Sequence, residues 1–235
     1  MKTPLYGLLL ALGLCALARA ETPEMPESTF DSIEISGSAV VRYTQGAHDQ
    51  AQVDGDAEMQ RSVRLVVHNG QLQVQPTGSW KFWKSTRVQV NVSSRELKRV
   101  SVSGAADFLA VQPVQADRLA ISISGAGLAR FDQLRAEELR FSVSGAGNGQ
   151  FAGMVDRLRV QISGRSDFRG EALAAQSAQV GVSGIGHVRV WAQQELSVSV
   201  SGIGTVDYWG SPPQIKRQSS GLATLNDRGA KPTGP

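Results

Sequence analysis

The sequence predicts an all-β fold, a parallel β-helix in which one short unit is stacked on itself. Three observations predict it. The dipeptide Ser-Gly recurs at a nearly fixed interval, an alternating apolar/polar run precedes each copy, and a second apolar group follows. The copies read VSVSGAADF, ISISGAGLARF, FSVSGAGNGQF, VQISGRSDF, VGVSGIGHVRV and VSVSGIGTVDY. Their glycines, Gly104, Gly125, Gly145, Gly164, Gly184 and Gly202, are 21, 20, 19, 20 and 18 residues apart. A degenerate copy, QSSGLATL, places Gly221 another 19 residues on. A period of about 20 built from strand-like segments identifies a solenoid. Solenoids carry many functions, so the period speaks to architecture and leaves activity to particular side chains.

The first 20 residues read as a secretory signal peptide: Lys2, an apolar run from Leu5 to Leu17, then Ala18-Arg19-Ala20. Cleavage is expected between Ala20 and Glu21. The run is too short to span a bilayer, and no later segment reaches 18 consecutive apolar residues. The mature chain is therefore expected to have no transmembrane segment. Cys15, the single cysteine, lies inside the signal and follows Leu14 rather than the small residue a lipid anchor requires. Without disulfides, stability must come from stacking. Residues 21–28 (ETPEMPES) are a polar, proline-broken leader.

From Phe30 the chain reads as strands, with Ile33 and Ile35, then Val40, Val41 and Tyr43. His68-Asn69-Gly70-Gln71, between Val63/Leu65/Val67 and Leu72/Val74, is a hairpin signal because both central residues need positive φ. Val88, Val90 and Val92 close this blurred, β-rich opening section. The regular section begins at Leu97. Alternation sends Leu119, Ile121 and Ile123 to one face and Ser122 and Ser124 to the other. A second strand is marked by Phe108, Phe131, Phe151, Phe168, Val188 and Val206, and a third contact by Val114, Leu134, Val155 and Leu173. Three short strands make one coil, and stacking at about 4.8 Å merges the coils' apolar faces into a shared core. Each Ser-Gly is expected to turn a corner, where glycine reaches positive φ at little cost. The serines should form a hydroxyl ladder, either satisfying corner backbone groups or offering a flat polar surface to a glycan or another strand. Residues 29–225 form the domain, with Ile215 to Leu225 a closing coil or cap, and 226–235 are expected to be disordered.

Charge excludes one class of partner. Of 24 basic residues, removal of Lys2 and Arg19 leaves 22 against 21 acidic, a net charge of +1 for the mature chain. That is no footprint for nucleic acid.

The order of these features resembles the bacterial head GIN domain family. The resemblance covers residues 29–225. It rests on the Phe30-Asp-Ser-Ile33-Glu-Ile35-Ser-Gly37 opening, Gly70-Gln-Leu72-Gln-Val74, and Val88-Gln-Val90-Asn-Val92 followed by Leu97 to Gly104. The Ser-Gly-Ala-Gly and Ser-Gly-Ile-Gly turns and the Asp207-Tyr208-Trp209-Gly210 close with Pro212 complete it. It implies a right-handed β-helix exported by a bacterium and no defined activity, the family's adhesin label being an analogy. The expected address is the periplasm, with the cell surface or secretion second.

The position three after each repeat glycine, Asp107, Leu128, Asn148, Asp167, His187 and Thr205, should line one edge. Asn148, Asp167 and His187 are neighbours there, the candidate acid/base or binding group. Asp107 and Asp167, three coils and roughly 14 Å apart, are too distant for a glycosidase pair, which needs about 5–9.5 Å. His48 and His68 lack the spaced carboxylates of a metal site. A second candidate is Trp80-Lys81-Phe82-Trp83-Lys84, where large aromatics beside flexible cations favour a glycan, protein or membrane surface, the alternative being that Trp80 and Phe82, or Phe82 alone, plug an end of the solenoid core. The residues thus point to a non-catalytic binding, adhesion-like or structural protein of the envelope, with no cofactor or metal. Its expected partners are a glycan, an envelope protein or a second copy. The competing reading is a polysaccharide lyase or hydrolase on a β-helix, which would need clustered carboxylates.

Overall fold

The computed structural model describes residues 29–77 and 87–231. The signal peptide with its Ala20–Glu21 junction, the leader and the Trp80–Lys84 segment lie outside the described residues.

The regular section is a β-solenoid of about six turns. Its strands are β9 (Val114–Ile123), β10 (Ala126–Val143), β11 (Ala146–Ile162), β12 (Arg165–Val182) and β13 (Ile185–Val200), each parallel to the next. Equivalent residues stack directly: Ile123 on Val143, Val143 on Ile162, Ile162 on Val182. Three short strands per coil were expected, yet β10 to β13 each run 16 to 18 residues through the corners. A bending backbone still finds its donors and acceptors in the coils above and below, so the ladder does not end at a bend. Local register shifts, such as that between Phe131 and Leu134, take up the corner.

The opening section joins the same sheet out of chain order. β1 (Ser32–Ile35) lies between β5 (Gln71–Pro76) and β7 (Arg99–Val102), parallel to both. β2 (Ala39–Gln45) pairs in parallel with β6 (Val88–Ser94) and β8 (Ala105–Ala110). β3 (Gln50–Asp54) runs antiparallel to β6, and β4 (Val63–His68) antiparallel to β5. The turn between β4 and β5 has the expected positive φ, 50° at Asn69 and 74° at Gly70. The helix α1 (Ala57–Ser62) was not anticipated. Its six residues are too few to show a helical period. Its signal was Asp56, whose carboxylate accepts from the backbone N–H of Glu58 and Met59.

At the other end, β14 (Ile203–Trp209) and β15 (Gln214–Ser219) form a coil on β13, and β16 (Leu222–Asp227) begins the next, stacked on β14. Asn226 and Asp227, expected in a disordered tail, complete β16. Arg228 bonds back to Asp207, and Lys231 lies over the Trp191 ring. These contacts use polar and cationic groups, so an apolar pattern could not reveal them.

The core is one column of side chains, but its aromatics occupy two positions per coil. Phe108, Ala129, Gly149, Phe168, Val188 and Val206 are in register, and so are Ala110, Phe131 and Phe151, with Gly170 at the equivalent position of the next coil. In the four coils from Phe108 to Phe168, wherever one position holds a ring, the other holds Ala or Gly. The rings therefore stack along the axis at 5.4–5.6 Å, from Tyr43 through Phe108, Phe131 and Phe151 to Phe168. Phe141 packs edge-on against Phe151. In these coils a ring at both positions would crowd the tube, and two small residues would leave a void. The expected single Phe/Val column is thus two complementary columns.

The repeat glycines also differ from expectation. They sit at corners, but none of the six has positive φ. Each instead lies against the backbone of the coil before it. A Cβ on Gly164 would stand 2.6 Å from Ser144 O and closer still to Gly145 O. The same contact links Gly37, Gly104, Gly125, Gly145, Gly164, Gly184, Gly202 and Gly221 into one column. The corner is glycine because backbone meets backbone there.

Candidate functional site

Two outward surfaces carry chemistry. The first is the edge three residues after each repeat glycine, and the register confirms the alignment. Leu128 stacks on Asp107 and Asn148, Asp167 on His187, and His187 on Thr205. Asn148 Oδ1 accepts the Asp167 N–H at 3.0 Å, a link between neighbouring coils. Asp167 and His187 are neighbours but not partners. Arg169 Nε donates to Asp167 Oδ2 at 2.9 Å, and Arg189 approaches its other oxygen at 3.4 Å. His187 turns the opposite way and bonds Asp207 Oδ2 through Nε2 at 2.6 Å.

Asp207 is the residue the sequence reading missed. It stands five after its repeat glycine, in the column of Gln150, Arg169 and Arg189, where a lone acid among basic and amide side chains was the available signal. It is 4% exposed. Burial works against its ionisation, but hydrogen bonds from His187, Asn226 and Arg228 outweigh that and hold it below the ordinary carboxylate range. Asn226 Nδ2 lies 2.8 Å and Arg228 Nε 2.9 Å from Oδ1. The network is saturated: each carboxylate oxygen faces a cation or a donor. It fastens the last coil to the one before and presents no free base to a substrate. Among the described residues no three His, Cys, Asp or Glu side chains converge as metal ligands.

The second surface is the sheet leading into each Ser-Gly corner. Alternation puts Ile, Val and Phe inward and a serine grid outward, including Ser101 and Ser103, Ser122 and Ser124, and Ser142 and Ser144. Gln161 and Ser163 extend the grid, followed by Ser183 in the next coil. Corner serines donate to a carbonyl of the preceding coil: Ser103 to Ile35, Ser124 to Val102, Ser163 to Val143 and Ser183 to Ile162, at 3.2–3.4 Å. Each hydroxyl has one proton, so these four spend it inward and leave acceptor lone pairs facing out. A shallow groove of about 320 Å³ follows the grid, lined by Ser122, Ser124, Ser142, Ser144, Gln161 and Ser163 among others. The hydroxyl ladder therefore satisfies backbone groups and also presents an exposed polar face.

No described helix is long and apolar enough to cross a membrane. No curated protein matches the sequence. Solved structures of similar fold include a "putative adhesin" from Bacteroides fragilis NCTC 9343, with TM-score 0.80 and 20% identity, covering 86% of this chain and 94% of that one. A "putative lipid binding protein" from Parabacteroides distasonis ATCC 8503 is similar at TM-score 0.68 and 21% identity, covering 87% and 95%. A "putative adhesin" from Parabacteroides merdae ATCC 43184 is similar at TM-score 0.65 and 19% identity, covering 87% and 95%. The model of the family described as "Putative auto-transporter adhesin, head GIN domain" matches residues 29–212, and the chain belongs to that family.

Proposed function

We propose that this protein is an exported component of the bacterial envelope, periplasmic first and surface-exposed second, with a non-catalytic, adhesion-like binding role. Its contact surface is the serine-faced sheet. One observation carries this reading: hydroxyls in register over successive coils leave their acceptor sides in an open groove. A flat array of acceptors suits a ligand rich in O–H groups, which makes a glycan the favoured partner over an envelope protein. The family description and the names of the similar structures support binding in general. Saturation of Asp207 by cations and donors supports a role without catalysis.

A glycan array probed with the native protein and with Ser144→Ala/Ser163→Ala tests the reading. Retention of at least one glycan by the native protein, weakened severalfold in the double variant, is expected. Equal binding by both proteins refutes the assignment of the face. Depolymerisation of an acidic polysaccharide, with or without calcium, refutes the absence of catalysis.

A further inference from the structure

We infer that the glycan taken by the serine face is acidic, its carboxylates held by Arg140, Arg157 and Arg159; this rests on the binding role proposed for that face. The strands place these cations beside the grid. Arg140 and Ser142 alternate along the outer side of β10, with Ser144 at the corner just past it, and Arg159 and Gln161 do so along β11, with Ser163 just past it. The register stacks Arg140 on Arg159, Ser142 on Gln161, and Glu138 on Arg157. Like charges in adjacent strands repel, so an arrangement of this kind gains from an external anion.

One carboxylate serves the three guanidiniums. Glu138, with its side chain 12% exposed, takes Arg140 Nε at 2.6 Å and lies 4.0 Å from Arg157. Arg159 Nε donates to the neutral Gln179 Oε1 at 3.0 Å. Two positive charges are left over at the margin of the groove. The Arg140 and Arg157 side chains are more than half exposed. Arg140 and Arg159 bond neighbours on the sheet face through Nε, which leaves their terminal nitrogens for a carboxylate. The exposed acids Asp117, Glu137 and Asp156 come before the arginines in each strand, on the side away from the serines. They repel an anion from that corner and direct it toward the hydroxyls. A uronate chain offers both halves of the match: hydroxyls to donate to the serine oxygens and a carboxylate on each residue for the arginines. A neutral chain offers only the first.

Calorimetric titration with galacturonate oligomers and with neutral galactose oligomers tests this. The native protein is expected to bind the acidic oligomer at least tenfold tighter than the neutral one, with affinity falling as salt rises. Arg140→Gln/Arg159→Gln is expected to lose at least tenfold for the acidic oligomer, and Arg64→Gln, on the distant β4, to lose nothing. Glu138→Gln releases Arg140 from its internal partner and is expected to tighten acidic binding severalfold, a gain that a damaged fold cannot produce. Equal affinity for both oligomers that is lost in Ser144→Ala/Ser163→Ala overturns the acidic class and leaves the serine face standing. Acidic binding unmoved by the arginine and glutamate variants, or absent altogether, overturns the inference.

Discussion

Replacing Gly164 with alanine tests why the repeat needs glycine. If the requirement were left-handed backbone, asparagine would substitute tolerably, because it visits that region more readily than other residues. The structure gives a different reason. A Cβ at Gly164 would stand 2.6 Å from Ser144 O and 2.8 Å from Ser144 C, both rigid backbone atoms. The coils must part to admit it. Parting them strains the bonds from Ser163 N to Val143 O at 2.8 Å and from Arg165 N to Gly145 O at 2.9 Å. Losing both costs about 2 kcal/mol, at about 1 kcal/mol net each, and overpacking adds about 1–3 kcal/mol. The expected destabilisation is therefore about 3–5 kcal/mol for Gly164→Ala, and no less for Gly164→Asn. Gly70 is the control, with φ of 74° and open space around its Cβ position. There alanine should cost about 1–2 kcal/mol, and asparagine should recover part of it. Urea denaturation followed by far-ultraviolet circular dichroism measures all four variants. A Gly164→Ala cost below about 1 kcal/mol, or its rescue by asparagine, would refute the backbone-contact argument.

Phe151→Ala removes a ring that is 1% exposed and stacked between Phe131 and Phe168, and should cost about 3–5 kcal/mol by denaturant titration. Gly149→Ala should cost about 1–3 kcal/mol, because its Cβ would meet Phe151 Cε2 at 2.8 Å and Phe141 Cζ at 2.9 Å. A double-mutant cycle of these two should show coupling, since the lost ring vacates the space the methyl needs. Asp207 and Asp49, whose carboxylate accepts from the Arg95 guanidinium at 2.9 Å and the Arg95 N–H at 2.8 Å, are both held below the ordinary carboxylate range by their hydrogen bonds, although burial opposes each. Their stabilising contribution is present above an ordinary carboxylate pKa of about 4 and is lost as pH falls through the lowered folded-state values. Thermal melts should therefore show stability falling in acid, and Asp207→Asn should flatten that fall while costing about 2 kcal/mol at neutral pH.

The solenoid was legible because its determinants are periodic. Ile123, Val143, Ile162 and Val182 each follow the same spacing rule, and the rule survives many coils of averaging. The edge of Asn148, Asp167 and His187 was legible for the same reason. Which side chain bonds which was not. His187 has neighbours on both sides, and its choice of Asp207 over Asp167 depends on arginines that already occupy Asp167. The two aromatic columns were countable in the sequence, since Phe108 and Phe168 stand four after their glycine and Phe131 and Phe151 six, but the register shows that the offset makes two complementary columns. The role of glycine was misread because a sequence shows conformational freedom and lack of bulk as the same letter. The arginine surplus around Glu138 was invisible for want of any repeat: Arg157, Glu138 and Arg118 alternate in sign from coil to coil.

The interleaving of β1 between β5 and β7 makes the two ends of the tube unlike. Among the described residues β15 and β16 pair only with β13 and β14, so they can peel away rung by rung, as thread leaves a spool. At the beginning, β1 is wedged between partners that arrive some 40 and 70 positions later along the chain, so tugging its terminus meets resistance from both sides. Wear, protease attack and mechanical load should therefore consume this molecule from its tail, with the head acting as the knot that stops the unravelling.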